Sequence, residues 1–219
     1  MAHIKPENNF IWLTAAMVGL LVVGAFSRHF PDSITVALLE MISIALLLVS
    51  LLSLASSPAW KRRLLAILAL MLLAAITSLV TRIHASDVFY LLFLLAFLLV
   101  TARLVAGEVL LAGSVNTNRL VGAIALYLIL GFIWSVLYIM VLMVWPDAFV
   151  GIQGGDWQDH LPTTTYFSFV TITTLGYGDI SPTNSLAQVL VILEAVTGMF
   201  YLAIIVASLV GTLKQGRSS

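Results

Sequence analysis

The sequence contains no cysteine, which excludes disulfides and thiolate-bound metals from any account of its stability or chemistry. Charge is scarce: 9% of the 219 residues are Asp, Glu, Lys or Arg, against about 25% in an ordinary soluble domain. The ten basic and ten acidic residues cancel, so no basic excess exists to hold nucleic acid. The four histidines, His3, His29, His84 and His160, are scattered at segment ends without metal-ligand spacing. We expect no enzymatic activity, no organic cofactor and no nucleic-acid partner.

What the chain does have is apolar length. Hydrophobic residues make up 61% of it and the mean hydropathy is +1.11, the composition of an integral membrane protein in contact with lipid. About 20 apolar residues cross a bilayer, and runs of that kind fall at 10–27, 34–55, 64–81, 87–106, 119–145 and 186–213. Charges or Pro and Ser clusters separate them, as at Arg28 to Asp32 and Ser56-Ser57-Pro58. The first run is too long for a typical signal-peptide core, so we read it as a retained helix. A further stretch, 161–173, covers only about 20 Å as a helix. That is too short to span and suits a re-entrant helix buried in protein.

The expected fold is therefore an all-α membrane protein with six transmembrane helices, a re-entrant helix and a loop. It divides into a four-helix domain (1–107), a linker (108–118) and a second domain (119–213), followed by a short tail (214–219). Within the second domain we expect an outer helix at 119–145, an outer loop at 146–160, the re-entrant helix at 161–173, the loop proper at 174–179 and an inner helix at 186–213. Basic residues set the orientation. With both termini cytoplasmic, Lys5, Lys61, Arg62, Arg63, Arg103, Arg119, Lys214 and Arg217 lie inside, and only Arg28 and Arg82 lie outside. Lys61-Arg62-Arg63 fixes topology or meets anionic headgroups.

The residues that carry chemistry are Thr171-Ile172-Thr173-Thr174-Leu175-Gly176-Tyr177-Gly178-Asp179. Glycines at alternate places permit positive φ cheaply, which turns successive carbonyls to one side. Four such strands around an axis would stack rings of carbonyl oxygens in place of a monovalent cation's hydration shell. The preceding helix would point its partially negative end at the same centre.

At these nine residues the chain resembles the tetrameric potassium-channel family, whose signature is Thr-X-Thr-Thr-X-Gly-Tyr-Gly-Asp; the resemblance extends over about 119–213. It implies a homotetramer in a bacterial inner (plasma) membrane. K⁺ would be held by the carbonyls of Thr174, Leu175, Gly176 and Tyr177 and by the Thr174 hydroxyl. Gly178 would permit the outer turn and Asp179 would brace it. Thr171 and Thr173 are either filter support or residues that pack and back-bond to their helix. The chain departs from the family at Leu175, where Val or Ile is usual. It also has Tyr166 and Phe167 where a tryptophan pair is common, and Val170 where some relatives carry a glutamate. Phe167 has no hydrogen-bond donor, whereas we expect the Tyr166 hydroxyl to reach Asp179.

Gly198 matches the family's inner-helix hinge glycine, and close helix packing explains it equally well. Glu194, one turn earlier, is an ionisable group inside the membrane, and such groups are costly and usually functional. It reads either as a protonated structural glutamate near the re-entrant helix or as a modulator of gating. Glu40 invites the same two readings. The fourth span carries one arginine, Arg103, at its cytoplasmic end, so a voltage sensor is not expected. Nine residues from Gly211 to Ser219 are too few for a regulatory domain. The expectation is a K⁺-selective channel. Its alternatives are a nonselective cation channel, a subunit of a K⁺-uptake transporter, and a membrane scaffold or regulatory subunit.

Overall fold

The computed structural model describes residues 9–26, 58–81, 84–110 and 117–215. Its helices are α1 (Asn9–Phe26), α2 (Pro58–Thr81), α3 (His84–Leu110), α4 (Thr117–Val144), α5 (Trp157–Ile172) and α6 (Ser185–Gln215), with two short strands, β1 (Phe149–Val150) and β2 (Ser181–Pro182). α2 opens on Pro58, where the missing N–H costs nothing because the first turn has no partner for it. α6 is capped by Asn184, whose side-chain oxygen accepts from the Ala187 N–H at 2.8 Å.

Among the described residues three helices are long and apolar enough to cross a membrane: Asp87–Val109, Asn118–Val144 and Ser185–Ser208; Phe10–Ala25 is a shorter apolar helix. The described residues thus support an integral membrane protein without establishing six spans. The expected span 34–55, with Glu40, lies outside them, as does most of the linker, 111–116.

α4 is the hub, touching α1, α3, α5 and α6, while α3 also packs on α2. The main core runs along this hub. Phe10, Leu13 and Met17 of α1, Met71 of α2 and Leu91, Phe97 and Val105 of α3 meet Leu126, Ile129, Phe132 and Ile139 of α4. Gly122 lets Phe10 and Val109 approach α4, since a Cβ there would lie 2.8 Å from the Val109 side chain. Tyr90 of α3 stacks at 5.1 Å on Trp157, which opens α5. By contrast α6 is thinly partnered: 11% of its span is buried, against 61% for α4. Ala187, Glu194 and Gly198 are its buried residues among those described.

The start of α5 and the content of the outer loop differ from expectation. α5 begins at Trp157 rather than 161, because Asp159 accepts from the Asp156 N–H at 3.1 Å and so caps an earlier start. Pro162 then sits inside the helix. The outer loop also contains a strand. β1 pairs antiparallel with β2, Phe149 opposite Pro182 and Val150 opposite Ser181. Two-residue strands carry no readable alternation, so this ribbon left no sequence signal. It ties the loop before α5 to the segment after Asp179, reinforced by the Thr183 N–H donating to the Ala148 carbonyl at 2.8 Å.

Candidate functional site

A helix ends with four carbonyls that lack intrahelical partners. At the end of α5 all four are claimed. The Phe169 carbonyl accepts from the Thr173 N–H at 3.2 Å, and the Thr171 carbonyl from the Thr174 N–H at 2.9 Å. The Val170 carbonyl accepts from two N–H groups, Leu175 at 2.9 Å and Gly176 at 3.2 Å. The Ile172 carbonyl accepts from the Tyr127 hydroxyl of α4 at 2.9 Å. The amides of Thr174, Leu175 and Gly176 are thereby drawn back onto the helix.

The backbone of the loop alternates in hand. Thr174, Gly176 and Gly178 have φ of +59°, +57° and +80°, whereas the intervening Leu175 and Tyr177 do not enter positive φ. A strictly alternating pair of conformations brings successive carbonyls toward one side of the chain, which uniform strand geometry does not. The two glycines adopt positive φ at little cost. Thr174 is β-branched, and left-handed φ costs such a residue roughly 1–2 kcal/mol. A Cβ at Gly176 or Gly178 would meet nothing within 4 Å, and the side chains of Leu175 and Tyr177 are 56% and 66% exposed. They border an apolar cavity of about 900 Å³ shared with Leu20, Leu161, Tyr166 and Phe169.

Behind the loop, the Tyr166 hydroxyl donates to Asp179 Oδ2 at 2.8 Å, the contact anticipated between those two residues. That bond, followed by burial and the Asp179 charge, holds the Tyr166 phenol above its usual pKa. Phe167, which has no hydrogen-bond donor to offer the loop, lies in a buried cluster. Its ring is 5.2 Å from Tyr138 and 5.5 Å from Phe149. An apolar ring gains more from that aromatic core than from the exposed loop. Thr171 is buried. The Thr173 hydroxyl back-bonds to the Phe169 carbonyl at 2.6 Å, the bland alternative for that residue. Gly151 (φ +89°) lets the outer loop pass directly against the Asp179 carbonyl.

The contact between α4, α5 and α6 is polar along one face of each helix. On α4, residues 127, 131, 135 and 138 recur at helical spacing. Tyr127 caps Ile172, and Gly131 admits the Phe169 ring, whose nearest atom would lie 2.6 Å from an added Cβ. Ser135 Oγ lies 3.0 Å from both Thr164 Oγ1 and Thr165 Oγ1, and Tyr138 donates to Glu194 Oε2. Ser168 Oγ is 2.5 Å from Glu194 Oε1. On α6, Gly198 is buried against the Ile172 carbonyl, with which a Cβ would collide. α6 runs unbroken through it, so in this structure Gly198 serves close packing. Tyr201 donates to the Ala123 carbonyl at 2.5 Å and stacks on Tyr127 at 5.4 Å. Tyr127, Gly131, Ser135, Tyr138 and Ser168 were not singled out from sequence. Small and hydroxyl residues at intervals of four, four and three along an otherwise apolar α4 were the available signal.

Residues 122–215, less than half of the chain but all of this site, match the family model described as "Ion channel". No curated protein and no solved structure matches the chain. The segment that builds α5, the loop and the two flanking helices is similar to an ion channel.

Proposed function

We propose that four copies of this chain form a K⁺-selective channel through which ions pass passively down their gradient. The observation that carries the reading is the positive φ at 174, 176 and 178 alternating with ordinary backbone at 175 and 177. One chain offers one wall of carbonyls; four would close it into rings that replace the hydration shell of a K⁺ cargo ion. The ligands are the carbonyls of Thr174, Leu175, Gly176 and Tyr177 with the Thr174 hydroxyl. Gly178 forms the outer turn, and Asp179 is held by Tyr166. The α6 face bearing Val189, Ile192, Val196, Met199 and Phe200 is exposed and supports assembly with further copies. Both termini are cytoplasmic in this reading, and lipid surrounds the remaining helices.

Voltage is not the stimulus in this reading. Arg103 is the one Arg or Lys of α3, and a single charge moved through 100 mV contributes only about 2.3 kcal/mol. The test is cation flux into liposomes containing the purified chain. K⁺ entry should exceed Na⁺ entry by at least an order of magnitude. Gly176→Ala, which forces an L side chain into positive φ, should abolish the preference. Equal K⁺ and Na⁺ entry would instead identify a nonselective channel, and a folded protein with no flux would favour a scaffold role.

A further inference from the structure

Glu194 lies in the first third of α6 and is 0% exposed. Its two carboxyl oxygens are both engaged: Oε2 by the Tyr138 hydroxyl of α4, and Oε1 by Ser168 Oγ of α5 at 2.5 Å. Ser168 Oγ also lies 2.7 Å from the Gly131 carbonyl of α4. Three oxygen–oxygen contacts therefore need three hydrogens. Tyr138 and Ser168 bring one each, so an ionised Glu194 leaves one close oxygen pair without a proton. A neutral carboxyl supplies the third. Tyr138 then donates to Oε2, Glu194 donates from Oε1 to Ser168, and Ser168 donates to the Gly131 carbonyl.

The charged surroundings agree with that count. The titratable groups facing Glu194 among the described residues are Tyr138 and, farther off, Tyr127, both on α4. α5 presents Ser168, and Tyr201 of α6 engages Tyr127 instead. Among the described residues no cation compensates a charge there, and an unpaired buried carboxylate is costly. Ser168 stands two residues before Val170, whose carbonyl holds the Leu175 and Gly176 amides.

Building on the channel reading, we propose that Glu194 acts as a protonated positioning residue. Its carboxyl proton completes a relay that clamps α5 between α4 and α6, and loss of that proton at alkaline pH releases α5 and stops conduction. Ionisation leaves Ser168 one hydrogen for two acceptors. It must abandon either Glu194 or the Gly131 carbonyl, and the shift reaches the loop through Val170.

The test follows infrared absorption and cation flux on the same liposomes containing the full chain, from neutral to alkaline pH. At neutral pH a protonated-carboxyl carbonyl stretch should be present in the wild type and absent in Glu194→Gln. As pH rises, the band should fade and K⁺ flux should fall at least tenfold over the same interval. Glu194→Gln keeps an N–H donor toward Ser168 and an acceptor toward Tyr138, so its flux should be independent of pH while its tyrosines titrate normally. Absence of the band at neutral pH overturns the inference. So does a band that fades while flux persists, or a Gln variant that retains the wild-type pH profile. If wild-type liposomes pass no cation at any pH, the channel reading falls separately, and the infrared band still decides whether Glu194 carries the proton.

Discussion

Replacing Gly198 with alanine tests whether its missing side chain is a hinge or a packing requirement. In a helix interior alanine is about 1 kcal/mol more favourable than glycine, so at an unobstructed position the change stabilises. At 198 the new Cβ would collide with the Ile172 carbonyl, and the Ile172 side chain also lies close, at 2.8 Å. Overpacking of this kind costs roughly 1–3 kcal/mol. The opposing atom is backbone and cannot swing aside as a flexible side chain would. It also accepts the Tyr127 hydroxyl at 2.9 Å, and a retreat from α6 that loses this bond adds about 1–3 kcal/mol. The expected net effect of Gly198→Ala is a loss of about 2 kcal/mol. Gly19→Ala in α1, where a Cβ meets nothing within 4 Å, should gain up to about 1 kcal/mol. Equilibrium unfolding of both variants in detergent micelles, read as midpoint shifts of opposite sign, is the assay. A Gly198→Ala protein as stable as wild type would refute the packing argument and restore the hinge.

Three further outcomes follow from the same geometry. Tyr127→Phe leaves the last carbonyl of α5 without its donor and should lower stability by about 1–3 kcal/mol, measured by the same unfolding; Phe keeps the ring stack on Tyr201, which isolates the hydroxyl. Asn184→Ala removes the α6 cap and should cost about 0.5–2 kcal/mol, with Asn184→Ser recovering most of it in a thermal melt. His160 is held below its ordinary pKa by burial, partly opposed by Asp159, the Gly155 carbonyl and Asp156. The unfolded chain therefore takes up its proton first as pH falls through the ordinary histidine range near 6.5. Stability present above that range is lost below it, and His160→Gln should flatten this acid limb in melts collected from neutral to acid pH.

The loop was legible because its conformation is written into residue type: glycines stand at 176 and 178, two of the three positive-φ positions. The long helices were legible because lipid demands apolar length, and α4 and α6 end within about two residues of the expected limits. Thr174 shares the glycines' conformation without their chemistry, so composition alone could not identify its backbone. The start of α5 was missed because its cap is acidic rather than apolar, and Asp156 and Asp159 read as loop residues. The place of Phe167 was not legible because an aromatic next to such a loop has two places to go, and only the location of Tyr138 and Phe149 decides between them. The polar seam of α4 escaped because each of its members, taken singly, is an ordinary residue of a membrane helix.

Glu194 has a second consequence, independent of its proton. The contacts made by leucine, valine and isoleucine are nearly interchangeable, so an apolar helix with few buried residues can slide by a turn, about 5.4 Å, with little change in contact energy. The carboxyl of Glu194 has no such freedom, because Tyr138 and Ser168 meet it at one axial height and one rotation of α6. A slipped or rotated α6 would strand that group in hydrocarbon, at a cost of a few kcal/mol. The buried glutamate therefore selects a register, and through Gly198 against Ile172 that register fixes the depth at which the inner helix meets the base of the loop.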